Sequence, residues 1–244
     1  MADVGNVLQE AGVTVPDQAV EQLNVYAAIL LDWNRRMDLT SVSDSDTGLR
    51  HFLDSLLPLR EEGLFPVGAR IIDVGSGAGF PGLPLAIARP DLRVTLLEAQ
   101  GKRCQFLNAV IDALNLQNVT VIQDRAETLG RAAEHRESYD RAVARAVAPL
   151  NVLCEYLMPF VRVGGMALCW KGPSVADEMA DGEAAAGLLG GRVLEAMDMS
   201  AGDTRHLLIP IQKIEKTLPQ YPRKNGIPAK RPLKSAKNRQ GTVE

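Results

Sequence analysis

Between residues 73 and 88 the chain reads DVGSGAGFPGLPLAIA, in which Asp73, Gly75, Gly77, Gly79 and Gly82 stand between one apolar run and the next. Gly77, Gly79 and Gly82 satisfy G-x-G-x-x-G, the pattern of a loop whose backbone approaches the pyrophosphate of a dinucleotide. The same residues also read D-x-G-x-G-x-G from Asp73 to Gly79, which puts a carboxylate at the strand end where a pyrophosphate would have to come close. A negative charge there favours a ligand that carries a cation. S-adenosylmethionine, with its ammonium and sulfonium groups, is such a ligand. Glu98, nineteen residues after Gly79, ends the next apolar run, where an acid accepts hydrogen bonds from both ribose hydroxyls. Nicotinamide-dependent enzymes and methyltransferases share that acid, so it does not separate them. A third run ends in IQDRAE, and Asp124 or Glu127, with the amides between them, would meet an adenine edge, because ligands of open α/β sheets lie outside the carboxyl ends of the strands. Spacing leaves both acids open. Arg145, in ARAVAPL, ends a fourth run over the same crevice, either as a ligand contact or as the partner of a helix acid.

The elements that position these residues follow from hydrophobic periodicity. After FPVGAR come the short apolar runs RIIDV, RVTLLE, VTVI, DRAVA and GMALCW, separated by helical stretches. Strands alternating with helices build right-handed βαβ units and a parallel sheet. GRVLEAMDM and RHLLIPIQK then flank Ser200 to Thr204 as an antiparallel hairpin on the sheet edge. Upstream, residues 4–12, 16–36 and 47–57 carry apolar side chains at helical spacing, Val20, Leu23, Tyr26, Ala27, Leu30 and Leu31 among them, with Pro16 suited to a first turn. The expected architecture is α/β: an N-terminal helical cap over 1–66, a Rossmann-like core over 67–214 with a mostly parallel sheet and an antiparallel edge hairpin, and a basic, flexible tail over 215–244.

The 244 residues, 46% of them hydrophobic, are enough for one domain with additions or two small ones. The net charge of -3 conceals an asymmetry: residues 1–212 hold 18 Lys and Arg against 28 Asp and Glu, a balance of -10, whereas residues 213–244 hold 9 against 2, a balance of +7. The first residues are acidic without an apolar block, and no later run reaches the roughly 18 uncharged apolar residues of a membrane span, which points to a cytoplasmic protein. Cys104, Cys154 and Cys169 are odd in number and form no CxxC pair, so they read as reduced core thiols; neither a disulfide framework nor a metal site is expected. The three histidines, His51, His135 and His206, lie outside the glycine loop and the expected strand ends, so none is well placed as a base.

DVGSGAGFPGLPLA, LLEAQGKRCQFL, RAE, YDRAVARAVAPL and WKG, with WNRRMDLTSV and RHFLDSLLPL upstream, follow one another in the order and spacing of the RsmG family, also called glucose-inhibited division protein B. The chain resembles that family over residues 16 to 214. The resemblance implies an S-adenosylmethionine-dependent methyltransferase fold and methylation of guanine N7 in 16S ribosomal RNA, with the RNA or a small-subunit assembly as partner. No DNA or membrane partner is expected, and the sequence leaves the oligomeric state open, with a monomer favoured. It places cofactor contacts on Gly75, Phe80, Ala126, Glu127 and Arg145, with Gly77 and Gly79 in the same loop and Glu98 on the ribose, and so selects Glu127 over Asp124. Phe80 would cover the methionine part. Lys171, after the fifth strand, and Lys102 with Arg103, opening a helix, form a candidate basic rim; Arg223, Lys224, Lys230 and Arg231 in the tail are further candidates for RNA phosphates. Asp38 departs from the family, which usually has Asn before LT.

Guanine N7 has an in-plane lone pair and no proton, so methyl transfer from a sulfonium needs no general base and leaves a cationic ring. Positioning and electrostatics must carry the rate, with Arg145 and Lys171 as candidate side chains. N7 lies in the deep, narrow A-form major groove, so the target must come from a loop or opened segment. The competing readings are a nicotinamide-dependent oxidoreductase and a non-catalytic RNA-binding protein.

Overall fold

The computed structural model describes residues 4–37, 39, 45–201 and 205–235. Asp38 lies outside them. Residues up to Gln123 form one compact unit, with a short return segment from Met199; residues Asp124 to Asp198 and those from Arg205 onward form a second.

The first unit runs α1 (Val4–Glu10), α2 (Asp17–Asn34), α3 (Ser45–Leu56) with a 3-10 turn, β1 (Arg70–Val74), α4 (Gly82–Ala88), β2 (Arg93–Glu98), α5 (Gly101–Leu114) and β3 (Val119–Gln123). The three strands are parallel with β2 in the middle, Ile71 opposite Val94 and Leu96 opposite Val121. Helix α2 buries Ala19, Leu23, Tyr26 and Leu30, one stripe of a 3.6-residue period. Helix α4 is buried at every residue, so its sequence is apolar all round. Tyr26 is the hub between cap and core: its ring lies 5.1 Å from Phe52, 5.5 Å from Phe80 and 6.4 Å from Phe106. Such aromatic pairs contribute about 0.5–1.5 kcal/mol each beyond their buried area.

The second unit runs α6 (Ala126–Leu129), β4 (Tyr139–Arg145), α7 (Leu150–Leu157), β5 (Val161–Lys171), a 3-10 segment Pro173–Glu178, α8 (Met179–Leu188), β6 (Gly191–Val193), β7 (Met197–Asp198), β8 (Leu207–Lys213) and α9 (Ile227–Lys230). β4 and β5 are parallel; β8 is antiparallel to β5 and carries β6 and β7, also antiparallel, on its other side. The expected hairpin is present, with β6 and β7 outermost.

Of the expected tail over 215–244, residues 215–235 lie along the second unit as a strap, and residues 236–244 lie outside the described residues. Arg136 donates to the carbonyls of Gly130, Thr217, Leu218 and Tyr221 at 2.7–3.2 Å, and Arg131 to those of Gln220 and Pro222. Asn151 Nδ2 holds the Leu233 carbonyl at 2.7 Å, and the Ser235 amide reaches Asp181 at 2.8 Å. Pro228 and Leu233 are buried. A segment rich in proline and lysine lacks a hydrophobic stripe, but its carbonyls are acceptors that guanidinium forks can capture.

Candidate functional site

In the first unit the glycine loop joins β1 to α4. Gly75, Gly77 and Gly79 have φ of 74°, 58° and 93°, a region closed to most side chains. At Gly79 a Cβ would also lie 2.5 Å from Leu83 Cδ1 and 2.6 Å from the Tyr26 hydroxyl, so the close approach of α2 and α4 requires glycine. At Gly77 it would meet, among the described residues, only the Gly75 carbonyl, 3.8 Å away. The Tyr26 hydroxyl donates to the Ala78 carbonyl, tying α2 to the loop. Asp73 is fully buried and accepts the Gly82 amide at 2.9 Å, which fixes the start of α4. Its carboxylate therefore serves the loop's own backbone, a role that the charge argument for Asp73 did not anticipate. Phe80 is 6% exposed, stacked on Tyr26 and edge-on to Phe52 at 5.2 Å, with His51 at 5.5 Å. Its side chain packs against the aromatic cluster of α2 and α3.

Glu98 ends β2 at 4% exposure. Its Oε2 accepts the Gly77 amide at 2.9 Å and its Oε1 the Gln100 amide at 2.8 Å. A carboxylate has about four lone-pair sites, so each oxygen, once oriented by an amide, keeps a second acceptor. Arg103 stands 3.9 Å from Glu98 Oε2, whereas Lys102 is exposed.

In the second unit Asp124 accepts the Arg125 amide at 2.7 Å. Ala126 and Glu127 form the first turn of α6, where amides have no intrahelical carbonyl. Glu127 is 5% exposed, and its Oε1 accepts the Gly226 amide of the strap at 2.8 Å. Burial and the charges of Glu127 and Glu155 push the neighbouring Tyr156 phenol up from its ordinary value. Arg145 ends β4, half-buried, and is followed by Ala146 at a φ of 55°, a left-handed backbone on a non-glycine residue.

Two expected substrate contacts have partners within the protein. Lys171 is paired with Glu178 at 2.6 Å and donates to the Ala148 carbonyl at 3.2 Å, with 11% of its side chain exposed. Glu178 also accepts the Leu150 amide, so Lys171 is part of a brace between the Pro173–Glu178 segment and the start of α7. Arg223 forms a fork on the fully buried Glu155 at 2.5–3.0 Å, and its pKa is raised chiefly by that bond. Lys224, Lys230 and Arg231 are exposed.

The cysteines are free and buried; Cys169 is pushed up to about 12 by burial, and Cys154 is raised by the same cause. Among the described residues no three His, Cys, Asp or Glu side chains come together as metal ligands, and no helix is long and apolar enough to cross a membrane. Sequence reasoning missed the contacts of Tyr26 with the glycine loop, of Glu155 with Arg223, and of the Asn225–Gly226 turn with Glu127 and Thr128. Only the last had a local signal, the Asn-Gly dipeptide of a tight turn.

A family model described as GidB, rRNA small subunit methyltransferase G, matches residues 19–208. The chain belongs to this family. Ribosomal RNA small subunit methyltransferase G of Alkaliphilus metalliredigens is 45% identical over 229 residues, covering 93% of this chain and 95% of that protein. The same-named proteins of Roseiflexus sp. and Leuconostoc citreum are 45% and 42% identical, each covering 93% of this chain and 97% of their own. Among solved structures, MtNAS in complex with MTA and tNA has a TM-score of 0.55 at 15% identity, covering 80% of this chain and 73% of that one. A mutant of MtNAS solved with S-adenosylmethionine has a TM-score of 0.54 at 15% identity, covering 87% and 78%. The fold is therefore Rossmann-like, as the alternation of strands and helices implies.

Proposed function

We propose that this GidB-family chain transfers a methyl group from S-adenosylmethionine to the N7 of one guanine in 16S ribosomal RNA. Family membership decides against a nicotinamide-dependent oxidoreductase, whose glycine loop and strand-end acid would read alike, and against a non-catalytic RNA binder. The observation that carries the cofactor reading is Glu98: two backbone amides aim its carboxylate, and each oxygen keeps an acceptor for a ribose hydroxyl. Among the described residues a Cβ on Gly77 would meet only one atom within 4 Å, which fits a close-lying ligand. In the first unit Gly75, Gly77 and Gly79 would hold the methionine part by backbone; in the second, Ala126 and Glu127 would meet the adenine, and Arg145 is a candidate beside the reacting groups. When bound, the cofactor supplies an electrophilic methyl on sulfur.

The protein's task is then to orient an unprotonated nitrogen and to tolerate a cationic product, with no proton to move. Labelled methyl transfer to small subunits, followed by identification of the base, tests the proposal; label on an exocyclic amine or on no RNA overturns it. Single-turnover transfer to prefolded subunits at fixed magnesium is expected to stay nearly flat between about pH 6.5 and 8.5, across the upper limb of an unperturbed histidine titration. A tenfold rise that His51→Ala removes would assign His51 a proton transfer and refute N7 as the target.

A further inference from the structure

Glu127 and the strap meet across 99 residues of sequence, and the contact has the geometry of a sighting device. Gly226 donates to Oε1 of Glu127 at 2.8 Å, and no donor among the described residues takes Oε2. The turn that presents this amide is itself fixed. Asn225 Nδ2 donates to the Thr128 hydroxyl at 3.2 Å, one residue beyond Glu127 on α6. Gly226 has a φ of 77°, the left-handed backbone for which glycine is favoured, and opens α9. Just upstream, Arg223 offers both its amide and its guanidinium to Glu155, and Arg136 holds the carbonyls of Thr217 and Tyr221. A strap anchored at so many points does not leave the turn free to drift.

We infer that the Asn225–Gly226 turn is a positioning element of the cofactor site, aiming the Glu127 carboxylate so that its remaining oxygen selects the 6-amino group of the adenine. The inference rests on the reading of Glu127 as the adenine-facing acid. An ionised carboxylate only accepts hydrogen bonds. With Oε1 fixed by a backbone amide, Oε2 presents an acceptor in a set direction: an amino group satisfies it, whereas a carbonyl at the same place sets two acceptors against each other. Leaving a buried polar group unmatched is what makes such discrimination large.

Calorimetric binding of the full chain to S-adenosylhomocysteine and to S-inosylhomocysteine, in which a carbonyl replaces the amino group, tests this. The wild type is expected to prefer the adenosine compound at least tenfold. Two variants loosen the turn in different ways. Gly226→Ala strains the left-handed backbone, although a Cβ there would meet nothing within 4 Å, and Asn225→Ala removes the partner of Thr128. Each is expected to shrink the preference at least threefold while holding the inosine compound within twofold of the wild-type affinity, a split that general loosening of the fold would not produce. Thermal unfolding identifies a variant that does not fold, in which case the other carries the test. A wild type without preference overturns the Glu127 reading and this inference together. A preference that survives both variants overturns the inference alone. Tighter binding of both compounds in the variants also overturns it, since the turn would then be a cover over the carboxylate.

Discussion

Glu98 organises the glycine loop through its two carboxylate oxygens. Its two oxygens take the amides of Gly77 and Gln100, so the loop and the opening of α5 are organised around the acid that is proposed to hold the ribose. Glu98→Ala is expected to weaken S-adenosylmethionine binding by about 1.5–3 kcal/mol, the range for hydrogen bonds to a charged group, as measured by titration calorimetry. An unchanged affinity would remove Glu98 from the site. The position of Glu98 at a strand end, nineteen residues after Gly79, was legible in the sequence, whereas its two backbone amide partners were not. The packing of Phe80 on Tyr26 and Phe52 was not legible, because those rings come from helices far upstream.

At the scale of elements, the strands and long helices were readable from period and apolarity alone, as β1 and α2 illustrate, whereas the strap was not. What holds it is a set of guanidinium-to-carbonyl bonds and the Arg223–Glu155 pair, none of which leaves a periodic trace. Glu155 is fully buried. Arg223→Ala leaves that carboxylate without its countercharge and is expected to destabilise the second unit by roughly 3–5 kcal/mol, read from urea unfolding. Lys213, at the end of β8, is also fully buried, and its ammonium donates to the carbonyl of Met158 at 2.7 Å and to the Thr217 hydroxyl, with Glu137 at 3.4 Å. Burial lowers its pKa from 10.5 to about 8 against the opposing pull of Glu137. Between those two values the unfolded chain holds a proton that the folded chain has released. Stability attributable to this site therefore rises with pH from about 8 to about 10.5, and below that window the cost of the buried charge is fully present. Urea midpoints across the window should show this rise in the wild type and lack it in Lys213→Met; equal slopes would mean that the ammonium is not burdened by its surroundings.

For the molecule as a whole, the charge asymmetry remains the guide to its RNA partner, but the strap restricts which cations are available. Arg223 is committed to Glu155, while Lys224, Lys230 and Arg231 are exposed. Replacing these three by Gln is expected to flatten the log–log salt dependence of RNA binding by about 0.7 per lost single-strand contact, so by about 2 if all three touch phosphate, with S-adenosylmethionine affinity unchanged. An identical slope would place the RNA contacts elsewhere. The same strap bears on synthesis. Glu155 precedes Arg223 by 68 residues, an interval of roughly 3–14 s at about 5–20 residues per second of translation. Throughout that interval the emerging second unit carries a carboxylate whose burial partner has not yet been made. Final closure around α7 must therefore wait for the strap, whereas the strands and helices of the first unit up to Gln123 have all been translated by then. The order of completion is written into the position of one arginine.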